Sequence, residues 1–190
     1  MYLRELKDID ARWDTELIRG RFDTGKSQVA PRDFAEALRR ALQGLAKDGA
    51  GSPAIATALD PLRAAFEEKA AMVEKYKTQS AALKEALGGV VAAMSEVQAM
   101  VKGARLADPR QRDRFVALEN NLNEIQAEVL KFNLLPDDKQ RARVESAMAA
   151  LRMAEGAYPQ PLGSAVARLN GQGETVLREK PAENELFTRI

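Results

Sequence analysis

The longest regular pattern in the chain is a repeat of apolar positions, at alternating steps of three and four, over residues 59–101. This spacing puts the apolar side chains on one face of a helix, so it predicts a long helix that packs against other helices. We place it at residues 60–102, with Asp60 as the cap and Pro61 as the first helical residue. At 1.5 Å per residue it would be ~60 Å long, the length of a spine shared by two packed layers. The repeat consists of Leu59, Leu62, Phe66, Lys69, Val73, Tyr76, Ser80, Leu83, Leu87, Val90, Met94, Val97 and Val101.

Five shorter apolar stripes with helical spacing flank this spine and predict helices at residues 3–22, 31–47, 108–133, 136–157 and 161–179. We expect the last helix to be interrupted at residues 179–181, and residues 180–190 to be a linker or the start of a truncated helix. Short turns make neighbouring helices antiparallel. The pattern therefore predicts a single all-α domain over residues 1–190, an elongated antiparallel helical bundle in which two stacked modules share the long central helix.

Composition removes several classes of function. The chain has no Cys and no His, which excludes thiol nucleophiles, imidazole bases and nearly all the usual zinc sites. Its 29 basic and 28 acidic residues are interspersed, so it lacks the basic excess of a nucleic-acid-binding protein. The sequence contains no glycine-rich phosphate loop, nucleophile elbow or metal-spaced cluster. We therefore expect a protein that is not an enzyme and that binds no cofactor, metal or nucleic acid.

Three polar residues, Lys69, Tyr76 and Ser80, interrupt the apolar repeat of the spine. In one interpretation, Lys69 extends its ammonium to the edge of the bundle while Tyr76 and Ser80 make ordinary hydrogen bonds. In the other, they line a cavity between helices that binds a small polar or charged ligand. Lys77, beside Tyr76, would contribute from the rim of such a cavity.

The first predicted helix offers two further candidates, Trp13 and Arg19. A single Trp on an apolar stripe is typical of a core residue. Arg19 and Arg21 point in different directions on a continuous helix, but they could converge on an anion if the helix has already ended there. We include Trp13 and Arg19 as lining of the candidate ligand site.

Residues 65–87 of the spine resemble the signature of the DAHL family, the double all-helical sensor domains of bacterial membrane-bound histidine kinases. Residues 16–22 also resemble the first-helix motif of that family. Residues 23–27 depart from the Asn or Ser, Tyr and Asp run with which the family often continues. The likeness follows the helix order over residues 9–151. Its matching positions in the spine are Lys69, Val73, Glu74, Tyr76, Lys77, Ser80, Ala81, Leu83, Ala86 and Leu87.

This resemblance implies a periplasmic sensor domain of an inner-membrane protein, flanked by membrane helices and followed by a kinase module that this chain lacks. The expected partner is a small-molecule ligand or a periplasmic protein, and a homodimer is compatible with the fold. No apolar run approaches the ~20 residues that span a bilayer. Two alternatives stay open, a cytoplasmic location and a helical scaffold or adaptor that pairs with another protein and binds no small molecule.

Overall fold

The computed structural model describes residues 2–22, 33–107, 112–155, 158 and 160–190. These residues form six helices and no strand, which confirms the predicted all-α fold. The predicted helix starts at Pro31 and near Pro109 lie outside the described residues. The helices are α1 (Tyr2–Phe22), α2 (Phe34–Asp48), α3 (Pro53–Ala107), α4 (Arg112–Leu134), α5 (Asp138–Glu155) and α6 (Leu162–Arg189).

The helices fall into two compact units, which are described separately below. Unit 1 comprises Met1–Lys75 together with Ile190, and unit 2 comprises Tyr76–Arg189. The long helix α3 contributes residues 53–75 to unit 1 and residues 76–107 to unit 2. The predicted central helix is therefore present and common to both units.

Unit 1 packs α1, α2 and the first part of α3 around a small apolar core. The ring of Trp13 stacks on that of Phe34 with centroids 6.1 Å apart, and the ring of Tyr2 lies against Gly44. These two contacts join opposite ends of α1 and α2, so the two helices are antiparallel. Asp33 caps α2 by accepting a hydrogen bond from the Glu36 N–H at 2.9 Å. The core consists of Leu6, Trp13, Leu17, Leu38, Ala41, Leu42, Leu59, Ala70 and Val73.

Unit 2 packs the rest of α3 with α4, α5 and α6 around a larger apolar core. Contacts of Gly89 with Gln172 and of Glu96 with Arg168 show that α3 and α6 are antiparallel. The apolar stripes predicted for these helices are buried, as the helical spacing requires. The largest fully buried side chains of unit 2 are Phe132, Leu118, Leu122, Ile125, Met148, Leu151, Leu169, Val97, Val101 and Val129.

Three predicted boundaries are wrong, and two of them involve a proline. Helix α3 ends at Ala107 instead of residue 102. Helix α3 also begins at Pro53 instead of Asp60 and contains Pro61, and α6 continues through Pro181 to Arg189. The expected interruption at residues 179–181 and the linker at 180–190 are therefore absent from this part of the chain. An internal proline removes one helical hydrogen bond, but packing on both sides of it can keep the helix continuous.

Candidate functional site

Lys69 is the clearest departure from the apolar repeat of α3, and in unit 1 it is bound by two carboxylates of α1. Its Nζ atom lies 2.6 Å from Oδ1 of Asp10 and 2.6 Å from Oδ1 of Asp14. Asp10 and Asp14 are four residues apart, so they share one face of α1. Only 12% of the Lys69 side chain is exposed. We call Lys69, Asp10, Asp14 and Trp13 the Lys69 cluster.

Trp13 lies on α1 between the two aspartates in sequence and forms the aromatic wall of the Lys69 cluster. The Lys69 ammonium lies 5.6 Å from the centroid of the Trp13 ring, within the range of a cation–π contact. Burial acts to lower the pKa of Lys69, but the hydrogen bonds and charges of Asp10 and Asp14 outweigh it, so the pKa is raised. Lys69 is therefore a fixed positive charge at neutral pH.

Next to Trp13, unit 1 contains a small cavity of about 10 Å³. The guanidinium of Arg39 lies at its edge and makes two parallel hydrogen bonds of 2.8 Å to Glu67. A volume of about 10 Å³ holds one water molecule at most. An organic ligand can enter here only if side chains move. The cavity is lined by Trp13, Ala35, Leu38, Arg39, Leu42, Phe66, Glu67 and Ala70.

The other candidates on α3 belong to unit 2. Tyr76 is buried, and its ring contacts that of Phe187 on α6 with centroids 5.6 Å apart. Ser80 is half-buried and Lys77 is exposed. Beside them, Gln79 donates a hydrogen bond to Glu179 of α6.

Arg19 has a different environment from the Lys69 cluster. Its side chain is 67% exposed and lies 3.4 Å from Glu16 on the same helix. Helix α1 continues to Phe22, so the helix end that would let Arg19 and Arg21 converge on an anion does not occur before Arg21. The structure thus joins Lys69 with Trp13 and places Arg19 on an exposed face of α1.

Sequence reasoning missed Asp10 and Asp14, as well as a buried ion pair on α6. The Nζ atom of Lys180 lies 2.8 Å from Oε2 of Glu183, and the two side chains are only 8% and 3% exposed. The α6 pair lies in the segment predicted as a linker, where no burial is expected. For Asp10 and Asp14 the sequence does contain a signal. A Lys whose ammonium is buried needs a charge partner, and these aspartates flank the only Trp at a spacing of one helical turn.

The structure thus defines an all-helical domain of two units that carries a charged cluster on its long common helix. The sequence model of the DAHL domain matches residues 2–190. The chain therefore belongs to the DAHL domain family, a family of extracytoplasmic sensor domains that are not catalytic. No curated protein and no solved structure matches the chain. Among the described helices, none is both long and apolar enough to cross a membrane.

Proposed function

We propose that this chain is the periplasmic signal-sensing domain of a two-component sensor kinase, and that its Lys69 cluster binds a small charged molecule. The observation that supports this most directly is the sharing of one largely buried ammonium, that of Lys69, between the carboxylates of Asp10 and Asp14. The three charges belong to two helices, α1 and α3. A ligand that changes their pairing therefore changes how these helices are held together.

The chemistry of the cluster suggests what such a ligand carries. A carboxylate on the ligand would compete with Asp10 and Asp14 for the Lys69 ammonium, and an amine would compete with Lys69 for the two carboxylates. A free amino acid, which has both groups, would satisfy both sides of the cluster. The Trp13 ring would pack against the ligand and stabilise its cationic group.

Signalling requires that the ligand bind one arrangement of α1 and α3 better than another. Exchange of the Lys69 contacts for ligand contacts would release α1 from α3 or shift it along α3. Packed helices convert such changes into displacements of one element past another. Because α3 is a continuous helix from Pro53 to Ala107, a displacement that begins at Lys69 would propagate along a stiff element.

A thermal-shift screen of the purified chain tests the proposal. Free amino acids, small carboxylates and small amines would be compared, since a ligand at 100 times its Kd stabilises the folded state by about 2.7 kcal/mol. A ligand of the Lys69 cluster should raise the melting temperature of the wild type but not that of Lys69→Met or Asp10→Asn/Asp14→Asn. It should still stabilise the control variant Lys75→Met, which alters an exposed Lys of the same helix. A screen without hits, or a hit that is unaffected by these cluster variants, contradicts the proposed site. In the complete gene, we expect membrane-spanning helices on either side of this domain, followed by a kinase module.

A surface feature favours the scaffold or adaptor as a second candidate function. At the turn between α4 and α5, Leu134 is 83% exposed and Leu135 67% exposed, with half-exposed Leu130 one turn earlier. Apolar patches of this kind are typical of surfaces that contact another protein. If this function is correct, no small molecule stabilises the chain. Binding of a partner protein would then be weakened by Leu134→Ser and unaffected by Lys69→Met.

A further inference from the structure

The buried face of α6 changes its chemistry near Pro181. Between Leu162 and Leu177 the buried residues are small or apolar, except for Asn170. Beyond Leu177 the buried residues of α6 are Lys180 and Glu183, both charged. Charged side chains are rarely buried unless they are paired, because they lose their hydration. The fully buried positions of the two parts of α6 therefore differ in chemistry, apolar in the first and charged in the second.

The Lys180–Glu183 pair does not itself hold α6 against another helix. Both residues lie on α6, one helical turn apart, so the 2.8 Å contact can persist when this part of the helix leaves its neighbours. Packing the segment removes both charges from water without adding a charge partner from another element. Desolvation of an ion pair costs free energy, so the pair weakens the packed state relative to an apolar pair of similar size.

Within unit 2, this part of α6 contacts α3 through polar and aromatic side chains. Gln79 donates a hydrogen bond to Glu179, and the ring of Tyr76 packs against that of Phe187. Residues 162–177 are instead anchored by the apolar core shared with α3, α4 and α5. The contribution of α6 to the apolar core of unit 2 thus ends at Leu177.

These two parts of α6 meet in the helical turn 177–181, which ends at Pro181. A proline has no N–H, so the carbonyl of Leu177 lacks its usual helical hydrogen bond, and helices bend preferentially at such positions. A bend at this point leaves the apolar part of α6 undisturbed. It moves only the charged part.

We propose that residues 178–189 form a detachable arm, which separates from α3 by bending in the helical turn 177–181 while residues 162–177 stay in the core of unit 2. The released state rehydrates Lys180 and Glu183 and gives up contacts with α3, including those with Gln79 and Tyr76. The arm is a local opening unit whose free energy of release is smaller than that of global unfolding. This inference does not depend on the Lys69 ligand, because it concerns contacts of unit 2 alone.

Hydrogen exchange of the purified chain, measured by mass spectrometry, tests the arm. We expect amides of residues 182–186 to exchange at least tenfold faster than those of residues 165–177. Peptides that end before the last helical turn are compared, because helix ends fray. In Lys180→Leu/Glu183→Leu, exchange at residues 182–186 should slow about tenfold while residues 165–177 are unchanged. Uniform exchange along α6, or no slowing in the double variant, would overturn the proposal.

Three further variants keep the test decisive. The exchanged pair Lys180→Glu/Glu183→Lys should retain wild-type exchange, and so should Glu185→Leu at an exposed position of the arm. If the apolar double variant does not fold, Phe187→Ala provides a second test, because it removes the ring contact with Tyr76. It should accelerate exchange at residues 182–186 several-fold and leave residues 165–177 unchanged. Equal acceleration of all of α6 would show that the helix opens as one piece and would contradict the arm.

Discussion

The Lys69 ammonium lies 2.6 Å from the Asp14 carboxylate, and an equal distance separates it from the carboxylate of Asp10. One cation on α3 thus offsets two anions on α1, and these anions are only one helical turn apart. The three residues do not contribute equally to the charge balance of the cluster. Removal of either aspartate leaves an ion pair, whereas removal of the lysine leaves two like charges side by side. Lys69 is therefore the member on which the cluster depends.

Lys69→Met should lower the free energy of unfolding by about 1.5 kcal/mol, the usual size of lost hydrogen bonds to a charged group. Asp10→Asn or Asp14→Asn alone should lower the free energy of unfolding by a smaller amount, because Lys69 keeps one carboxylate partner. The variant with all three changes should recover most of the loss, since no charge is then unpaired. Urea unfolding at pH 7 measures each value, with the exposed Lys75→Met as the control. If the triple variant is no more stable than Lys69→Met, charge pairing is not the cause.

The raised pKa of Lys69 gives a second expectation, at alkaline pH. Because the folded protein holds this proton more tightly than the unfolded chain, Lys69 contributes stability at every pH below the unfolded pKa of about 10.4. The contribution is lost as pH rises from there through the folded pKa. The stability difference between wild type and Lys69→Met should thus be constant from pH 6 to about 9.5 and shrink above it. A difference that falls already at pH 7–8 would contradict this account.

The helices could be predicted because the spacing of apolar residues along a helix can be read from the local sequence. Every position of the α3 repeat from Leu59 to Val101 is buried or half-buried, since the 3.5-residue period alone determines which face meets other helices. The two proline positions could not be predicted in this way. Pro61 and Pro181 each carry a local cost that packing elsewhere along the helix offsets.

The partners of Lys69 illustrate a second limit of sequence reasoning. The repeat marks Lys69 as unusual, but Asp10 and Asp14 are 59 and 55 residues away in the chain. Which turn of α1 faces Lys69 depends on the register of two helices, and that register is set by the core they share. The side chains of Trp13 and Leu17 contribute to this core, together with those of α2 and α3.

Leucines of α4 at different depths offer a direct test of the core of unit 2. Leu122 is fully buried, so Leu122→Ala should lower the free energy of unfolding by about 2–5 kcal/mol through lost apolar burial and a residual cavity. Leu134 lies on the same helix but is 83% exposed, so Leu134→Ala should change stability by about 0.5 kcal/mol or less. Thermal and urea unfolding of both variants give the comparison. Similar losses in the two variants would contradict the assigned packing of α4.

Gly88 and Gly89 are adjacent in α3 but should respond differently to substitution by Ala. A Cβ at Gly88 meets nothing within 4 Å, so Gly88→Ala should stabilise the protein by up to about 1 kcal/mol through helix propensity. A Cβ at Gly89 would lie 2.6 Å from the end of the Gln172 side chain on α6. Gly89→Ala should therefore stabilise the protein less than Gly88→Ala, or not at all. Comparison of the two melting temperatures measures the difference, and Gly89→Ala/Gln172→Ala should restore the gain if the side chain of Gln172 is the obstacle.

Glu128 should make the stability of unit 2 sensitive to acid. Its carboxylate lies 2.5 Å from Nζ of Lys131 and accepts a 2.5 Å hydrogen bond from the Gln140 side chain of α5. These hydrogen bonds, with Lys131 the larger contributor, hold the pKa of Glu128 below its usual 4.5. A carboxylate with a lowered folded pKa adds stability above the unfolded pKa, and this stability is lost as pH falls through the folded pKa.

Glu128→Gln removes this titration, because an amide does not ionise. Wild type should be more stable than the variant at pH 7, and the difference should shrink progressively as pH falls below about 4.5. Urea unfolding at pH 7, 5, 4 and 3 measures it. Glu124→Gln, at an exposed position of the same helix, serves as the matched control and should show a smaller dependence on pH. If the difference between wild type and Glu128→Gln stays constant down to pH 3, the carboxylate of Glu128 does not link α4 to α5 in the way its contacts with Lys131 and Gln140 require.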